Sequence, residues 1–301
     1  MRIRTIFCAF TMVLLTACAD TAAIKKFSEL RPNGAEIQET AANYDRALID
    51  ASTYDVLHTI NPRAIRTLEK TRGVQEKLIV ANARAISQYM QELGAIAGLN
   101  TRVDKSANSG LKNGLAGLQK AGKASAQEVS TTVALVDFVG GLIESGEQQY
   151  SLRRVIGEEN HDFQSAVGLE VQILTNIQST DETDRILLGQ LQYITQSLEK
   201  KMKDCRRAAR ASGTASRFMG AGCAQAYAAF LTFPKWYSAQ YGQLDAEDAL
   251  ARHLKVAFTN VGKAHQELYQ RRNDLLTKAT WGAIKANVES ARAAINAARK
   301  L

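Results

Sequence analysis

Between residues 187 and 205 apolar side chains fall at Leu187, Leu191, Ile194, Leu198, Met202 and Cys205, in steps of three and four. That spacing draws one stripe along an α-helix, and such a stripe is buried by packing against another helix. Comparable runs recur along the chain. Ile65, Leu68, Val74, Leu78, Ala81, Ala85, Tyr89, Leu93 and Ile96 form one, and Leu152, Val155, Ile156, Phe163, Val167, Leu174 and Ile177 another. A third pair, Leu250 to Leu268 and Trp281 to Ala298, closes the chain, its second half rich in alanine on the contact face. Only three prolines interrupt 301 residues, and Ala, Leu, Gln, Glu, Lys and Arg fill the long stretches between them. The expected fold is therefore all-α: an elongated antiparallel helical bundle with long helices, without sheet, the alanine-faced C-terminal helix lying close against an earlier one. At 46% hydrophobic residues the chain can bury a sizeable core, which excludes disorder as a global description.

The N-terminus has another character. Arg2 and Arg4 precede an apolar run from Ile6 to Leu15, and Leu15-Thr16-Ala17-Cys18 closes it. The run is too short to span a bilayer as a finished helix. This arrangement resembles the lipobox of bacterial lipoproteins. The resemblance implies that Cys18 carries a diacylglycerol thioether, that residues 1–17 are removed as a signal peptide, and that the new N-terminus is acylated, with palmitate as a typical chain. It places the protein in the cell envelope. In Gram-negative bacteria an Asp directly after the lipidated Cys favours the inner membrane; Ala19 stands there, with Asp20 next, so the implied address is the outer membrane facing the periplasm. Processing would lower the formal charge from +8 to +6 by removing Arg2 and Arg4.

The cysteines then sort themselves. Cys8 leaves with the signal and Cys18 takes lipid, so Cys205 and Cys223 remain in an oxidising compartment, where a disulfide is expected; the alternative is two buried free thiols.

In chain order, residues 18–34 read as anchor and tether, ended by the turn Pro32-Asn33-Gly34, and a helical domain fills 35–301. Ile37, Tyr44, Leu48 and Ala51 predict a helix to about Ile60, and Asn61-Pro62 a restart. Gly98, Gly110, Gly114, Gly117 and Gly122 predict a flexible excursion after the helix ending near Gly94 and Gly98, the start of an insertion covering about 98–146. Ser125 with Glu128, and Ser179 with Glu182, have the spacing of capping boxes and predict two helix starts. Val129 to Ile143 is apolar on nearly all sides, which fits a buried helix or one touching membrane. Ser212-Gly213 and Gly220 to Gly222 read as a loop, and Pro234 as a bend.

Chemistry leaves few marks. Glu158 with His161 and Asp55 with His58 repeat the carboxylate-x-x-His spacing of di-iron bundles, but that site needs two such glutamate pairs and two further glutamates, so neither a metal nor a cofactor is expected. Signatures of hydrolases, P-loops and dinucleotide folds are missing, and a non-enzymatic protein is expected. Lys203, Arg206, Arg207 and Arg210 share one helix face, able to meet anionic lipid or lipopolysaccharide or simply to sit solvated at a helix end. Export argues against nucleic acid as a partner. Trp236, Tyr237 and Tyr241 cluster near Pro234, either as a partner-binding surface or as core beneath the disulfide. The expected role is a lipid-anchored binding or structural module whose partner is an envelope protein, the wall or lipopolysaccharide. Two alternatives stay open. Long helices flanking 98–146 are similar in layout to α-helical pore-forming toxins, and an immunity or exclusion lipoprotein would leave no residue signature.

Overall fold

The stripes become helices. A computed structural model describes residues 21–31, 62–99, 103, 105–120, 126–145, 152–190, 192–212, 221–275 and 277–301. Eight helices and no strand occur among them: α1 Thr21–Ser28, α2 Pro62–Ile96, α3 Lys105–Lys120, α4 Ala126–Ser145, α5 Leu152–Gln190, α6 Gln192–Ser212, α7 Ala221–Gln270 and α8 Lys278–Ala298. The all-α bundle and the Cys205–Cys223 disulfide are both present. The chain gathers into two compact units. The first takes the described parts of 1–41, 74–175 and 250–301; the second takes those of 42–73 and 176–249. The helix expected over 36–60, the Pro32-Asn33-Gly34 turn, Asn61 and Ser125 lie outside the described residues.

The first unit is built on α2, α5 and α7. Asn82 of α2 meets Ala166 and Glu170 of α5, while Tyr89, two turns on, meets Phe163, so those helices run antiparallel. Asn160 with Gln266 and Gln164 with Gly262 set α7 antiparallel to α5 in turn. The expected stripes face inward: Leu78, Ala85, Tyr89 and Leu93 on α2, Val155, Phe163 and Leu174 on α5, and Leu254, Val261 and Leu268 on α7 are all buried. α2 ends where glycine allows it. Gly98 adopts φ +89°, and the Gly98 and Leu99 amides donate to the Ala95 and Gly94 carbonyls, the paired closure that satisfies a helix C-terminus. α8 starts at Thr277, whose side chain accepts the Thr280 amide, and returns along α7 so that Ala257 packs on Ala294 and Ile295. Its alanine face is buried as expected, through Ala291, Ala294 and Ala298.

Three expectations need correction. The glycine-rich excursion is a helix, α3. Gly110, Gly114 and Gly117 stand where an added Cβ would meet only open space, while Asn108, Leu111 and Leu115 turn to the buried side. Packing against α4 thus outweighs the ~1 kcal/mol that each helical glycine costs relative to alanine. The Ser179 to Glu182 capping box starts no helix, because α5 continues through it to Gln190. Pro234, where a bend is expected, lies inside a helix: α7 runs through it for 50 residues, with buried side chains on both sides, Phe233 and Gln240 among them.

The last correction concerns the tether. Its residues 21–28 are helix α1, and Ala23, Ile24, Phe27 and Leu30 are buried in the first unit at 2% exposure or less. Phe27 lies 6.3 Å from the Phe163 ring and 5.9 Å from the His265 ring. Arg292 of α8 reaches Glu29 at 3.5 Å. Gly94 makes the close approach possible: a Cβ there would stand 2.5 Å from Ser28 Oγ.

Candidate functional site

The residues singled out for binding belong to α6 and α7 of the second unit. Ile194, Leu198, Met202 and Cys205 form the buried stripe of α6 and pack with Leu188, Ala226, Phe233 and Leu244. The side chains of Leu187 and Leu191 lie outside the description. Because Met202 and Cys205 face in, the intervening and following positions face out, and Lys203, Arg206, Arg207 and Arg210 are all exposed along one face. Asp204 approaches Arg207 at 3.6 Å, both side chains more than half exposed, a pair that offsets little of the positive field. Cys205 ties this helix to Cys223, the third residue of α7, with Cα atoms 5.9 Å apart. Beside the staple a cleft of about 420 Å³ opens over Leu198 and Ala226, rimmed by Lys200, Lys201 and Asp204.

The aromatic cluster is brought together as well, but mostly inward. Phe233 is fully buried, with Trp236 at 5.5 Å and Tyr237 at 5.8 Å between ring centroids. Tyr237 donates to the Tyr241 hydroxyl, and Tyr241 donates to the Arg185 carbonyl at 3.2 Å. Burial, then the neighbouring Tyr241 hydroxyl, pushes Tyr237 up to about 12. Trp236, Tyr237 and Tyr241 are half-buried against the core. On the same helix, within the second unit, Tyr227 and Leu231, one turn apart, are exposed at 43% and 53%.

Sequence reading missed a set of buried polar groups in the first unit. Asn82 sits on the α2 stripe and serves three partners: its amide donates to the Ala166 carbonyl and to Glu170, and its carbonyl accepts the Thr132 hydroxyl. Glu170 is fully buried, and burial drives its carboxyl well above the usual range, so it is held as the neutral acid. A turn away, His265 is also fully buried. Its Nε2 pairs with the Tyr89 hydroxyl at 2.8 Å and its Nδ1 with Asn160 Oδ1 at 3.2 Å. Since Asn160 Oδ1 can only accept, Nδ1 carries the proton and Tyr89 donates to Nε2. Phe163 stacks on the ring at 4.2 Å, and desolvation lowers His265 to about 3. Glu159 is raised to about 7 by burial and by the charges of Asp162 and Glu158. The only sequence signal for these groups was polar residues at core positions of a stripe.

Tyr89, His265 and Glu170 are all sealed from solvent, where paired polar groups specify one packing arrangement. The carboxylate–histidine pair is dispersed. Glu158 takes Arg154 at 2.7 Å and the exposed His161 takes Asp162, while Asp55 and His58 lie outside the described residues. Among the described residues no three His, Cys, Asp or Glu side chains gather to hold a metal ion. The chain matches no protein-family model, no curated protein and no solved structure.

Proposed function

We propose that the protein is a lipid-anchored envelope protein acting as a non-enzymatic binding module, most simply on the periplasmic face of the outer membrane. The observation that carries this reading is the lipobox Leu15-Thr16-Ala17-Cys18 behind a basic, apolar leader, joined after only two residues to a helical body. The binding role falls to the second unit, where the disulfide holds α6 and α7 together, α6 presents Lys203, Arg206, Arg207 and Arg210 as an exposed row, and Tyr227 and Leu231 are exposed on α7. A row of cations suits an acidic protein surface, and Arg and Tyr carry much of the energy at interfaces.

A membrane-active role has less support. α4 turns Leu135, Val136, Val139 and Leu142 into the core, and no helix among the described residues is long and apolar enough to cross a membrane.

In-cell crosslinking and pull-down of the tagged full-length chain tests the reading, with C18A as the unanchored control and Lys203, Arg206, Arg207 and Arg210 changed to Gln together. An envelope protein recovered with the wild type and lost from both variants is expected. Recovery of lipid or lipopolysaccharide alone would overturn the protein-binding role.

A further inference from the structure

Resting on the lipid anchor proposed above, we infer that α1 acts as a clamp that seats the basic end of the first unit directly on the anionic headgroups of the bilayer. The direction of α1 gives the geometry. Ser28 lies at Gly94 and Lys25 at Gly98, so α1 runs back along the last turns of α2 and its N-terminus points past the end of that helix. Phe27 touches Phe163 of α5 and His265 of α7. Stepping six residues toward this end, at 1.5 Å each, covers about 9 Å and brings Thr21 level with Gly157 and Arg271. Cys18 is three residues before Thr21, a reach of about 10 Å at full extension. With α1 packed into the core, no slack remains between the lipid and this end of the unit.

The end is charged to match. Arg153 and Arg154 open α5, Arg271 and Arg272 close α7, and Lys25 reaches over Gly98 from α1. Glu158 answers Arg154 at 2.7 Å and Glu267 answers Arg271 at 3.4 Å, and Asp274 and, in sequence, Asp20 add two further carboxylates against the five cations. Cations therefore prevail. Arg272 is fixed in place, its guanidinium 4.4 Å above the Tyr269 ring and donating to the Tyr269 carbonyl, while Arg153 and Arg154 are exposed beside it around an open hollow floored by Gly157. Anionic lipid attracts such clusters, and a chain held within about 10 Å by its own lipid meets that field continuously. A single acyl anchor on a long leash would leave orientation free; a docked helix three residues away does not.

Energy transfer to a headgroup dye decides it. The lipidated full-length protein, its disulfide left oxidised, is placed in phosphatidylethanolamine–phosphatidylglycerol vesicles carrying a headgroup acceptor. Donor dye goes on N273C at the basic end or on K300C at the other end of α8, whose 21 residues span about 30 Å. Transfer from position 273 is expected to be at least ~2-fold stronger than from 300, given that distance. A flexible Gly/Ser insert of about 20 residues between Asp20 and Thr21 should abolish the difference while leaving the lipid in place. Changing Arg153, Arg154 and Arg271 to Gln in lipid-free protein made to begin at Ala19 should weaken its binding to the same vesicles by at least about 10-fold. Equal transfer from 273 and 300 in lipidated protein, or stronger transfer from 300, overturns the clamp. Absence of lipid on Cys18 by intact mass overturns the anchor reading instead.

Discussion

The two units solve the burial problem in different ways. In the first, α2, α4, α5, α7 and α8 bury whole side chains on several sides, and a polar cluster lies inside, with Asn82 joined to Thr132, Glu170 and Ala166. In the second, the described core is one stripe of α6 against one face of α7, widened by half-buried Trp236, Tyr237 and Tyr241 and closed by a disulfide. A thin core yields less burial per ordered residue, and a covalent link offsets that shortfall by restricting the unfolded chain. The difference teaches where each unit is vulnerable: the first to lost volume and misplaced charge, the second to reduction.

That contrast can be broken from both sides, and the two tryptophans serve as reporters, Trp281 in the first unit and Trp236 in the second. The largest effect expected is from Phe163→Ala. Its ring lies against Phe27, Tyr89 and His265, and truncation should cost about 3–5 kcal/mol, read by urea unfolding at Trp281. Next, replacing Cys205 and Cys223 by Ser should lower stability by about 3 kcal/mol at Trp236, for a link spanning 18 residues, with protection of amide hydrogens in the first unit unchanged. An equal loss in both units would show that they do not behave separately. Asn82→Ala should cost about 1–3 kcal/mol, because it removes buried hydrogen bonds to the Thr132 hydroxyl and the Glu170 carboxyl. Gly98→Ala should cost about 1 kcal/mol through its left-handed backbone alone.

A separate set of effects lies in pH. His265 is held near 3, below its unfolded value, so its contribution is present above about 6.5 and is lost as pH falls toward 3. Glu159 is raised to about 7, so its contribution is full below about 4.5 and is lost as pH rises through 7. Between these limits the two slopes oppose each other. Glu159→Gln should therefore leave the steeper acid loss due to His265, and His265→Gln should leave the opposite slope; urea midpoints taken across pH 4 to 8 would show a sign change between the variants. Parallel profiles would remove both groups from the account.

Much of this architecture was legible because stripes on α2, α5, α6, α7 and α8 are long, and a helix period sustained over several turns leaves one face to bury. What misled was local chemistry judged without its neighbours. Glycines at 110, 114 and 117 weaken a helix on average, yet they face open space while Leu111 and Leu115 hold α3 in place. Ser179 and Glu182 fit a cap but lie within a helix already extended by packing. Ile24 and Phe27 of α1 were passed over because eight residues seldom make a stable helix alone; tertiary burial, not propensity, orders them. At the candidate site, the exposed row of α6 followed directly from the inward stripe opposite it. The exposure of Tyr227 and Leu231 rather than Trp236 did not, since which aromatic faces out depends on how α6 lies against α7.

The anchor is the premise on which location, partner and clamp all depend, and intact mass spectrometry of the protein extracted from the membrane fraction tests it most directly. The account predicts a mature chain beginning at Cys18 with a diacylglyceryl thioether and an acylated N-terminus, and a C18A chain that retains residues 1–17. A wild-type chain that still begins at Met1, or one cut elsewhere with Cys18 free of lipid, would contradict it.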